Sequence, residues 1–397
     1  MTYEWNHSTI NDVCVLVTDG SHSSPKSVND GKYMVSVKDF TDYGFDFASC
    51  RMISNDDYET LKRNGCVPQI DDILIGKDGA HFFEDIIIYR QREKPALLSS
   101  IAILRCDKSK ILPDFLYYVL RTPSFRQDVK DNYGSGSAIP RIILKDFKRM
   151  MVSYPSLEKQ QAIISVLTAI DSKIQANTEI NDNLYAQAKA IFDNHFINID
   201  AIPAGWRKGN LLDIANYLNG LAMQKFRPQG NEIGLPVLKI KELRQGSCDD
   251  SSELCSLRIK PEYIIHDGDV IFSWSGSLLV DIWCGGTCGL NQHLFKVTSD
   301  IYDKWFYYLW TAHHLARFIA IAADKATTMG HIKREELAKA EVLIPCEEDY
   351  TSLTSIMQPI FELIISNRIE ARKLAALRDE LLPKLMSGEI DVSAIQL

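Results

Sequence analysis

Residues 157–198 read LEKQQAIISVLTAIDSKIQANTEINDNLYAQAKAIFDNHFIN, and residues 353–386 read LTSIMQPIFELIISNRIEARKLAALRDELLPKLM. Apolar residues recur in both stretches at steps of three, four and seven, as in the seam of a coiled coil. The two patterns match at an offset of 190, as at positions 163 and 353 or 177 and 367. Two ordinary amphipathic helices are the simpler interpretation.

A polar residue interrupts both patterns at the same place, Asn177 in one and Asn367 in the other. A buried polar seam residue weakens packing but fixes register and partner. Because this interruption repeats, we favour the seam over two unrelated helices. We predict pairing through Ile163, Ile170, Ile174, Asn177, Leu184, Ile191, Ile356, Ile360, Leu363, Asn367, Leu374 and Leu381.

The repeat extends far beyond the two helices. Short motifs recur in the same order, with an offset that drifts between about 190 and 203, as for small insertions in loops. The matched features are Trp5 and Trp206, Gly20 and Gly220, Lys38-Asp39 and Lys241-Glu242, Asp72 to Gly79 and Asp269 to Gly276, and Phe115 to Leu120 and Trp305 to Trp310.

A period this long indicates a duplicated domain rather than a solenoid. We therefore predict an α+β fold with two pseudo-symmetric domains, each a twisted β-sheet with helices, separated by two long antiparallel coiled-coil helices. The predicted boundaries are 1–155 and 200–349 for the two domains, with 156–199 and 350–397 for the two helical regions.

The composition is that of a soluble globular chain of 397 residues with a net charge of −8. This charge counts against DNA binding unless basic residues are locally focused or a partner supplies them. Nine scattered cysteines and a polar start after Met1 suit a reducing cytoplasm. The most apolar stretch carries His313, His314 and Arg317, which makes it a poor membrane span.

The sequence contains no convincing catalytic motif. Neither a phosphate-binding Gly-x4-Gly-Lys-Ser/Thr loop nor a Gly-x-Ser-x-Gly elbow occurs. Cys284, Cys288 and His293 are a loose candidate for three zinc ligands, but no fourth ligand is evident, and buried free cysteines are the better interpretation. We predict no catalytic residue, no metal site and no cofactor in this chain.

Polar loops recur at equivalent places in both halves. Hydroxyl, amide and cationic side chains of this kind bind phosphates and base edges, although any one such loop is more often simply solvated. The candidates for DNA contact are Ser21, His22, Ser23, Lys26, Lys38, Lys77, His81, Ser135, Ser137, Arg141, Lys225, Lys239, Lys241, Ser273, Ser275, Ser277, Thr327, Thr328, His331 and Lys333.

With this architecture in view, the chain resembles the specificity subunit of type I restriction–modification systems over nearly its whole length. Each motif alone is weak, but the ordered set is specific. The resemblance rests on Asp19-Gly-Ser-His22 with Pro25, Val35-Ser-Val-Lys-Asp39, Asp72-Ile-Leu-Ile75 with Gly79, Tyr133-Gly-Ser-Gly136, Pro155-Ser-Leu-Glu-Lys-Gln-Gln161 and Leu381-Leu-Pro-Lys-Leu-Met-Ser-Gly-Glu-Ile390.

The resemblance implies a non-catalytic DNA-recognition protein. Two target-recognition domains would each read one half of a split sequence in double-stranded DNA, and the paired helices would act as a spacer. These helices would also dock two methyltransferase subunits, which use S-adenosylmethionine to methylate adenine. Restriction subunits, using ATP and Mg²⁺ as an endonuclease, would join the complex.

The sequence departs from this pattern at two places. Asp349-Tyr350-Thr351 stands where Lys159-Gln160-Gln161 would recur, and Asn219-Gly-Leu-Ala222 replaces the Asp-Gly-Ser-His loop. Three alternatives stay open: a recognition chain of another restriction system, a duplicated protein-interaction scaffold on a coiled coil, and a zinc enzyme.

Overall fold

The computed structural model describes residues 5–79, 82–134, 140–324 and 332–392. These residues form two units, Met1–Asp171 with Leu377–Leu397, and Ser172–Ala376. Each unit contains one end of both long helices, so each helix begins in one unit and ends in the other. The division by contacts therefore runs through the helices, whereas the predicted boundaries 1–155, 156–199, 200–349 and 350–397 set them apart as separate regions.

The elements of the first unit end with the long helix α6, which continues into the second unit. In chain order they are β1 (Asn6–Thr9), α1 (Ile10–Val13), β2 (Cys14–Asp19), β3 (Lys32–Val35), β4 (Phe40–Thr41), β5 (Gly44–Phe45), β6 (Arg51–Ile53), α2 (Asn55–Arg63), β7 (Ile73–Gly76), β8 (Ile86–Ile88), β9 (Ala96–Leu97), β10 (Ile101–Cys106), α3 (Pro113–Arg121), α4 (Pro123–Asn132), α5 (Leu144–Arg149), β11 (Met151–Tyr154) and α6 (Leu157–Phe192).

The second unit repeats this order and ends with the second long helix, α12. Its elements are β12 (Arg207–Asn210), α7 (Leu211–Ile214), β13 (Asn216–Asn219), β14 (Leu235–Leu238), α8 (Ile240–Gln245), β15 (Leu254–Cys255), β16 (Ile264–Ile265), β17 (Val270–Ser273), β18 (Leu279–Ile282), β19 (Cys288–Leu290), β20 (Leu294–Thr298), α9 (Lys304–His313), α10 (Leu315–Asp324), α11 (Arg334–Ala338), β21 (Glu341–Ile344) and α12 (Glu347–Ser387).

The sheets of the two units have the same strand order. An antiparallel sheet β2-β10-β7-β8 corresponds to β13-β20-β17-β18, and a second sheet β6-β3-β9 corresponds to β15-β14-β19. In both second sheets one pair is parallel, β3 with β9 and β14 with β19. The second unit adds β16 at the edge of its sheet, next to β19. The predicted duplication is therefore present in the shared strands of both sheets, whereas β4 and β5 of the first unit and β16 of the second have no counterpart in the described part of the other unit.

The central strands are buried on both faces, which explains their continuous apolar runs. Along β7, Ile73 and Ile75 pack toward the helices, whereas Leu74 packs toward the second sheet. Along β17, Val270 and Phe272 likewise pack toward the helices, and Ile271 packs toward the second sheet. Each unit is thus built from a layer of helices, an antiparallel four-stranded sheet and a second sheet, which has three strands in the first unit and four in the second.

A carboxylate secures the start of one central strand in each unit, and it is fully buried at Asp72 and partly exposed at Asp269. Asp72 accepts two hydrogen bonds of 2.8 Å from Arg105 on the neighbouring strand, and one of 2.7 Å from the Gln69 backbone. Its counterpart Asp269 forms an ion pair of 2.8 Å with Lys296. Because the partner strand supplies the cation in each unit, the ion pair joins the two central strands of the sheet.

Within the second unit, α6 and α12 run antiparallel and share a polar layer. The Asn177 amide donates to the Glu370 carboxylate at 2.8 Å, and the Asn367 amide donates to the Asn181 side-chain oxygen at 3.0 Å. The Asn181 amide donates in turn to the backbone oxygen of Ile364 at 3.1 Å. Because each donor needs an acceptor on the facing helix, this layer permits one register.

The phase of the predicted seam in α12 differs from the structure at two positions. Ile356 is 50% exposed and Leu363 is 45% exposed, whereas Met357, Phe361 and Ile364 are buried. The apolar face of this part of α12 is directed at the core of its unit as well as at α6, because Met357 and Phe361 pack in that core. Ile356 and Leu363 therefore lie outside the helix pair.

The departure at Gln160 and Tyr350 leaves a common structural role intact. Gln160 is fully buried, and its side-chain oxygen accepts a hydrogen bond of 2.8 Å from the backbone of Leu112, at the start of α3. The Tyr350 hydroxyl accepts one of 2.6 Å from the backbone of Asp303, at the start of α9. The Gln160 amide in the first unit and the Tyr350 phenol in the second thus secure equivalent helix ends, those of α3 and α9, to the long helix of the unit.

A pair of substitutions tests the phase of α12. Phe361→Ala removes a buried ring and should lower the free energy of unfolding by about 3–5 kcal/mol. Ile356→Ala removes an exposed side chain and should change it by about 0.5 kcal/mol or less. Urea unfolding, followed by helical circular dichroism, measures both. Equal losses would place Ile356 in the seam after all.

Candidate DNA-contact site

The candidate site of each unit begins after the edge strand β2 or β13, where the chain crosses to the second sheet. The backbone of Gly20 donates to Ile101 at 3.0 Å, and that of Ser21 donates to Leu97 at 2.7 Å. In the second unit Gly220 donates to Leu294 and Leu221 to Leu290, both at 3.0 Å. The following loop is therefore held at the ends of both sheets.

Only glycine fits at this crossing. A Cβ atom on Gly20 would lie 2.3 Å from the carbonyl oxygen of Leu97, and one on Gly220 would lie 2.2 Å from that of Asn291. Both obstacles are backbone atoms, which cannot move aside without breaking the sheet. The paired glycines noted in the sequence are thus explained by a close approach of two strands.

Three loops converge at this place in the first unit. Lys77, which follows β7, reaches Asp19 at the end of β2 with an N–O distance of 3.3 Å, and His22 reaches the same carboxylate at 3.3 Å. The Lys77 backbone oxygen accepts a hydrogen bond of 3.0 Å from Ile142, which brings the preceding Arg141 to the site. The loops come from distant parts of the sequence, yet they form one polar surface.

The second unit builds the same junction from neutral groups. Trp274 follows β17 as Lys77 follows β7, and its indole nitrogen donates to the Asn219 side chain at 2.9 Å. The Trp274 backbone oxygen accepts a hydrogen bond of 3.1 Å from Ile332, which precedes Lys333. An ion pair in one unit is therefore replaced by a neutral hydrogen bond in the other.

His293 completes the site of the second unit. Its ring nitrogen lies 2.9 Å from the Ser275 hydroxyl, and its ring centroid lies 6.1 Å from that of Trp274. The Ser273 hydroxyl donates to the backbone oxygens of Ser275 and Ser277 at 3.2 and 3.0 Å, which closes the turn. Trp274 thus lies on a turn closed by Ser273, and His293 contacts this turn from the loop between β19 and β20.

The predicted contact residues fall into three groups. Four are buried and serve the turns themselves: Ser21, Lys77, Ser273 and Ser275. Others lie on the surface: His22, Ser23, Lys26, Lys38, Arg141, Lys225, Lys241, Ser277 and Lys333, with Lys239 half-buried. His81, Ser135, Ser137, Thr327, Thr328 and His331 lie outside the described residues.

The surface cations differ in how they are paired. Glu253 forms ion pairs with Lys239 and, at 2.6 Å, with Arg227. The Lys239 ammonium, and less strongly Arg227, holds the pKa of Glu253 below its usual range. Lys241 contacts Asp249 at 3.5 Å. In contrast, the structure gives Lys26, Lys38, Lys225 and Arg141 no ion pair with another described residue, so these four offer a free charge.

Sequence reasoning missed Asp19, Asn219 and Trp274 as site residues, and it considered His293 only as a metal ligand. Asp19 and Asn219 were present in the motif comparison, one residue before the paired glycines. The alignment of Lys77 with Trp274 also lay within a matched stretch. Their hydrogen bond and ion pair, however, join loops that are far apart in the sequence.

The zinc alternative is not supported by the geometry. Cys284 and Cys288 belong to different hydrophobic cores, on opposite faces of the four-stranded sheet. Burial raises the pKa of both thiols, which disfavours the thiolate that binds metal. Over residues 5–79, 82–134, 140–324 and 332–392, no group of three or more His, Cys, Asp or Glu side chains is arranged to hold a metal ion.

Two recognition units of one design, each with a polar cluster at its sheet ends and each joined to the long helices, define a duplicated DNA-specificity protein. The chain belongs to the type I restriction modification DNA specificity domain family, whose model matches residues 3–186 and 203–377. The predicted family, fold class and function as a specificity subunit with DNA target-recognition domains are thereby confirmed, and the scaffold and zinc-enzyme alternatives are set aside.

Relatives support the same assignment. The MjaIX specificity subunit of Methanocaldococcus jannaschii is 28% identical over 313 residues, which are 72% of this chain and 71% of that protein. The HindI specificity subunit of Haemophilus influenzae is 19% identical over 368 residues, covering 72% and 80% of the two chains.

A solved structure supports the fold. The S subunit of a type I system from M. genitalium shares 15% identity with this chain and superposes with a TM-score of 0.55, covering 97% of this chain and 96% of that one. No helix in the described part of the chain combines the length and the apolarity that crossing a bilayer requires.

The two junctions should respond differently to loss of their acceptor. Asp19→Ala removes the carboxylate 3.3 Å from the Lys77 ammonium, whose side chain is 9% exposed, and leaves it only the longer contact of 3.8 Å with Asp78, so the change should cost about 3 kcal/mol. Asn219→Ala removes one neutral hydrogen bond and should cost about 1 kcal/mol. Hydrogen exchange of the amides of β7 and β17 reports each local loss. Similar protection in both variants would contradict a structural role for the ion pair.

Proposed function

We propose that each unit reads one half of a split target in double-stranded DNA. The observation that carries this proposal is the duplicated junction with exchanged chemistry, Asp19–Lys77 in one unit and Asn219–Trp274 in the other. A conserved frame with different side chains is what two different half-sites require. Membership of the specificity family supports DNA as the ligand.

In the first unit, His22 and Arg141 are the groups best placed to meet DNA. The His22 side chain is 76% exposed, and Arg141 is exposed without an ion pair to another described residue. An arginine binds guanine or phosphate through two parallel hydrogen bonds, and an imidazole accepts from or donates to a base edge. Asp19 and Lys77 lie beneath them and hold the loops in position.

In the second unit, Trp274, Gln292 and His293 are the corresponding groups. They combine an indole, an amide and an imidazole, and all three are partly exposed. An amide pairs with adenine, and a large apolar ring packs against a thymine methyl group. We therefore propose that the second unit relies more on neutral contacts than the first does.

We propose further that methyltransferase subunits dock on the long helices. Ile356 and Leu363 are exposed, and seven residues of a helix return to nearly the same face. Exposed apolar residues in such a row mark a protein-interaction surface. S-adenosylmethionine would belong to these partners, and ATP and Mg²⁺ to a restriction subunit. The complex would be an adenine methyltransferase and endonuclease acting in the cytoplasm.

The division of the target between the units can be tested by sequencing the methylome of cells that express this chain with its methyltransferase subunit. A split methylated motif should appear only when the chain is present. Arg141→Ala should relax one half of the motif, and His293→Ala the other, because loss of one good base contact costs about 1–3 kcal/mol. Arg63→Ala, on the exposed surface of α2, is the control. Relaxation of both halves by one substitution would contradict the division.

Docking has its own test. The double substitution Ile356→Glu, Leu363→Glu places charge on the proposed contact face and should weaken methyltransferase binding by about tenfold or more, since charges are depleted at interface cores. The fold should be retained because both side chains are exposed. Biolayer interferometry measures the affinity. Unchanged binding in a folded variant would place the docking surface elsewhere.

A further inference from the structure

The first unit contains a pocket that is separate from the DNA-contact site. Its volume is about 230 Å³, and α3, α4 and α12 form its walls. Three arginines, Arg121, Arg126 and Arg378, line it with one carboxylate, Asp379, and with Tyr118, Pro123 and Leu382. None of the residues that line it belongs to a strand or to the loops at the sheet ends.

The three arginines are unequally neutralised. Arg378 contacts Asp171 at 2.9 Å and Asp379 at 2.8 Å, so its charge is compensated. Arg121 lies over the Tyr117 ring at 4.9 Å and hydrogen-bonds the Tyr117 hydroxyl. Neither Arg121 nor Arg126 forms an ion pair with another residue in the described ranges. Asp379 lines the pocket but pairs with Arg378, so Arg121 and Arg126 contribute positive charge that no carboxylate contacts among the described residues.

Of these two arginines, Arg126 has a side-chain donor that lacks a hydrogen-bond partner. One of its terminal nitrogens donates to the Glu84 backbone oxygen at 3.2 Å, but its Nε is buried without an acceptor. Burial, reinforced by the nearby Arg121 charge, lowers the pKa of Arg126. A buried donor without a partner costs stability. Nε itself is closed to solvent, but Arg126 lines the pocket beside Arg121, so an anion that enters would meet two cations.

We propose that this pocket receives the carboxylate of an Asp or Glu side chain from the methyltransferase partner. The inference rests on the proposed function, in which that subunit docks on the long helices. The wall formed by α12 places the pocket on one of them. Arginine binds carboxylates through paired hydrogen bonds, and arginines in desolvated pockets are frequent anchors of protein interfaces.

A protein side chain fits this pocket better than a DNA phosphate. The pocket is recessed, since the Arg378 side chain is only 18% exposed, and Tyr118 and Leu382 add apolar walls. The phosphates of a duplex lie on a convex backbone and are met by open surfaces and loops. A glutamate has a flexible apolar stem and a terminal carboxylate, which matches both features.

The second unit has no equivalent pocket chemistry. At the offset that relates the two copies, Thr311 replaces Arg121 and Ala188 replaces Arg378. Thr311 is buried and hydrogen-bonded to Tyr217 at 2.7 Å, and Ala188 is packed in the core. At these two described positions the second unit therefore has no cation, and the proposed anchor belongs to the first unit.

The test is Arg126→Met in the full chain, with Arg63→Met on exposed α2 as the matched control. Binding to the purified cognate methyltransferase subunit should weaken by about tenfold or more, mainly through faster dissociation. The melting temperature of the free chain should stay the same or rise by about 1–3 °C, because an unpaired buried donor is removed. Arg121→Met should weaken the same binding step.

Each other outcome overturns the inference. Unchanged affinity for the methyltransferase subunit in both variants excludes the anchor. A lower melting temperature with a parallel loss of binding assigns Arg126 a structural role. Another outcome is a weaker salt dependence of DNA binding. If the slope of log binding constant against log salt concentration becomes shallower by about one, with partner binding intact, the pocket binds a phosphate. Failure of the unsubstituted chain to bind the subunit would instead defeat the proposed docking itself.

Discussion

The close approach of two backbones at Gly20 and Gly220 is the constraint on which the recognition surface depends. At each point the chain that follows edge strand β2 or β13 touches carbonyl oxygens of the second sheet, with no room for a Cβ atom. Strand pairing places Asp19 and Ile75 on either side of Ala102, and Asn219 and Phe272 on either side of Phe295, so that the loops after these strands are neighbours. The close approach then holds the loop after β2 or β13 against the second sheet. The polar cluster is therefore a consequence of strand pairing together with the way the two sheets are joined.

Around this constraint the two units keep their main-chain bonds and exchange their side chains. The backbone oxygen of Lys77 binds Ile142, and that of Trp274 binds Ile332, in the same way. The same pattern holds at the long helices, where Gln160 and Tyr350 use different groups to secure the start of a helix. The frame is thus specified by backbone geometry, and side-chain chemistry is left to differ.

Much of the fold follows from the sequence because the duplication provides an internal control. A motif that recurs at one offset, such as Asp72 and Asp269, is unlike a chance match, and both carboxylates proved to join the central strands. The sequence did not, however, predict which face of α12 packs against α6. Its apolar residues face two neighbours, α6 and the core of the unit, and one periodicity cannot separate these directions. Ile356 and Leu363 were assigned to the seam for that reason.

The sequence identified the loops of the candidate site, but it did not show which of their side chains close turns and which lie on the surface. Small polar residues such as Ser21 and Ser273 have the same composition whether they contact a ligand or close a turn, and burial decides between these uses. Trp274 was overlooked because an aromatic residue after a strand usually indicates core. Its indole instead reaches Asn219 across loops distant in sequence, and only the fold brings these together.

The main-chain bonds at Ile142 and Ile332 have a consequence for how such proteins acquire new targets. Since the loops are held by peptide groups, a change of side chain at Arg141 or His293 leaves the frame in place, whereas a change at Gly20 or Gly220 does not. Substitution should therefore cost little stability at the positions proposed to contact DNA, and much at the glycines that build the surface. A library randomised at His22, Arg141, Gln292 and His293, with the glycines fixed, would explore new specificities without sacrificing the fold.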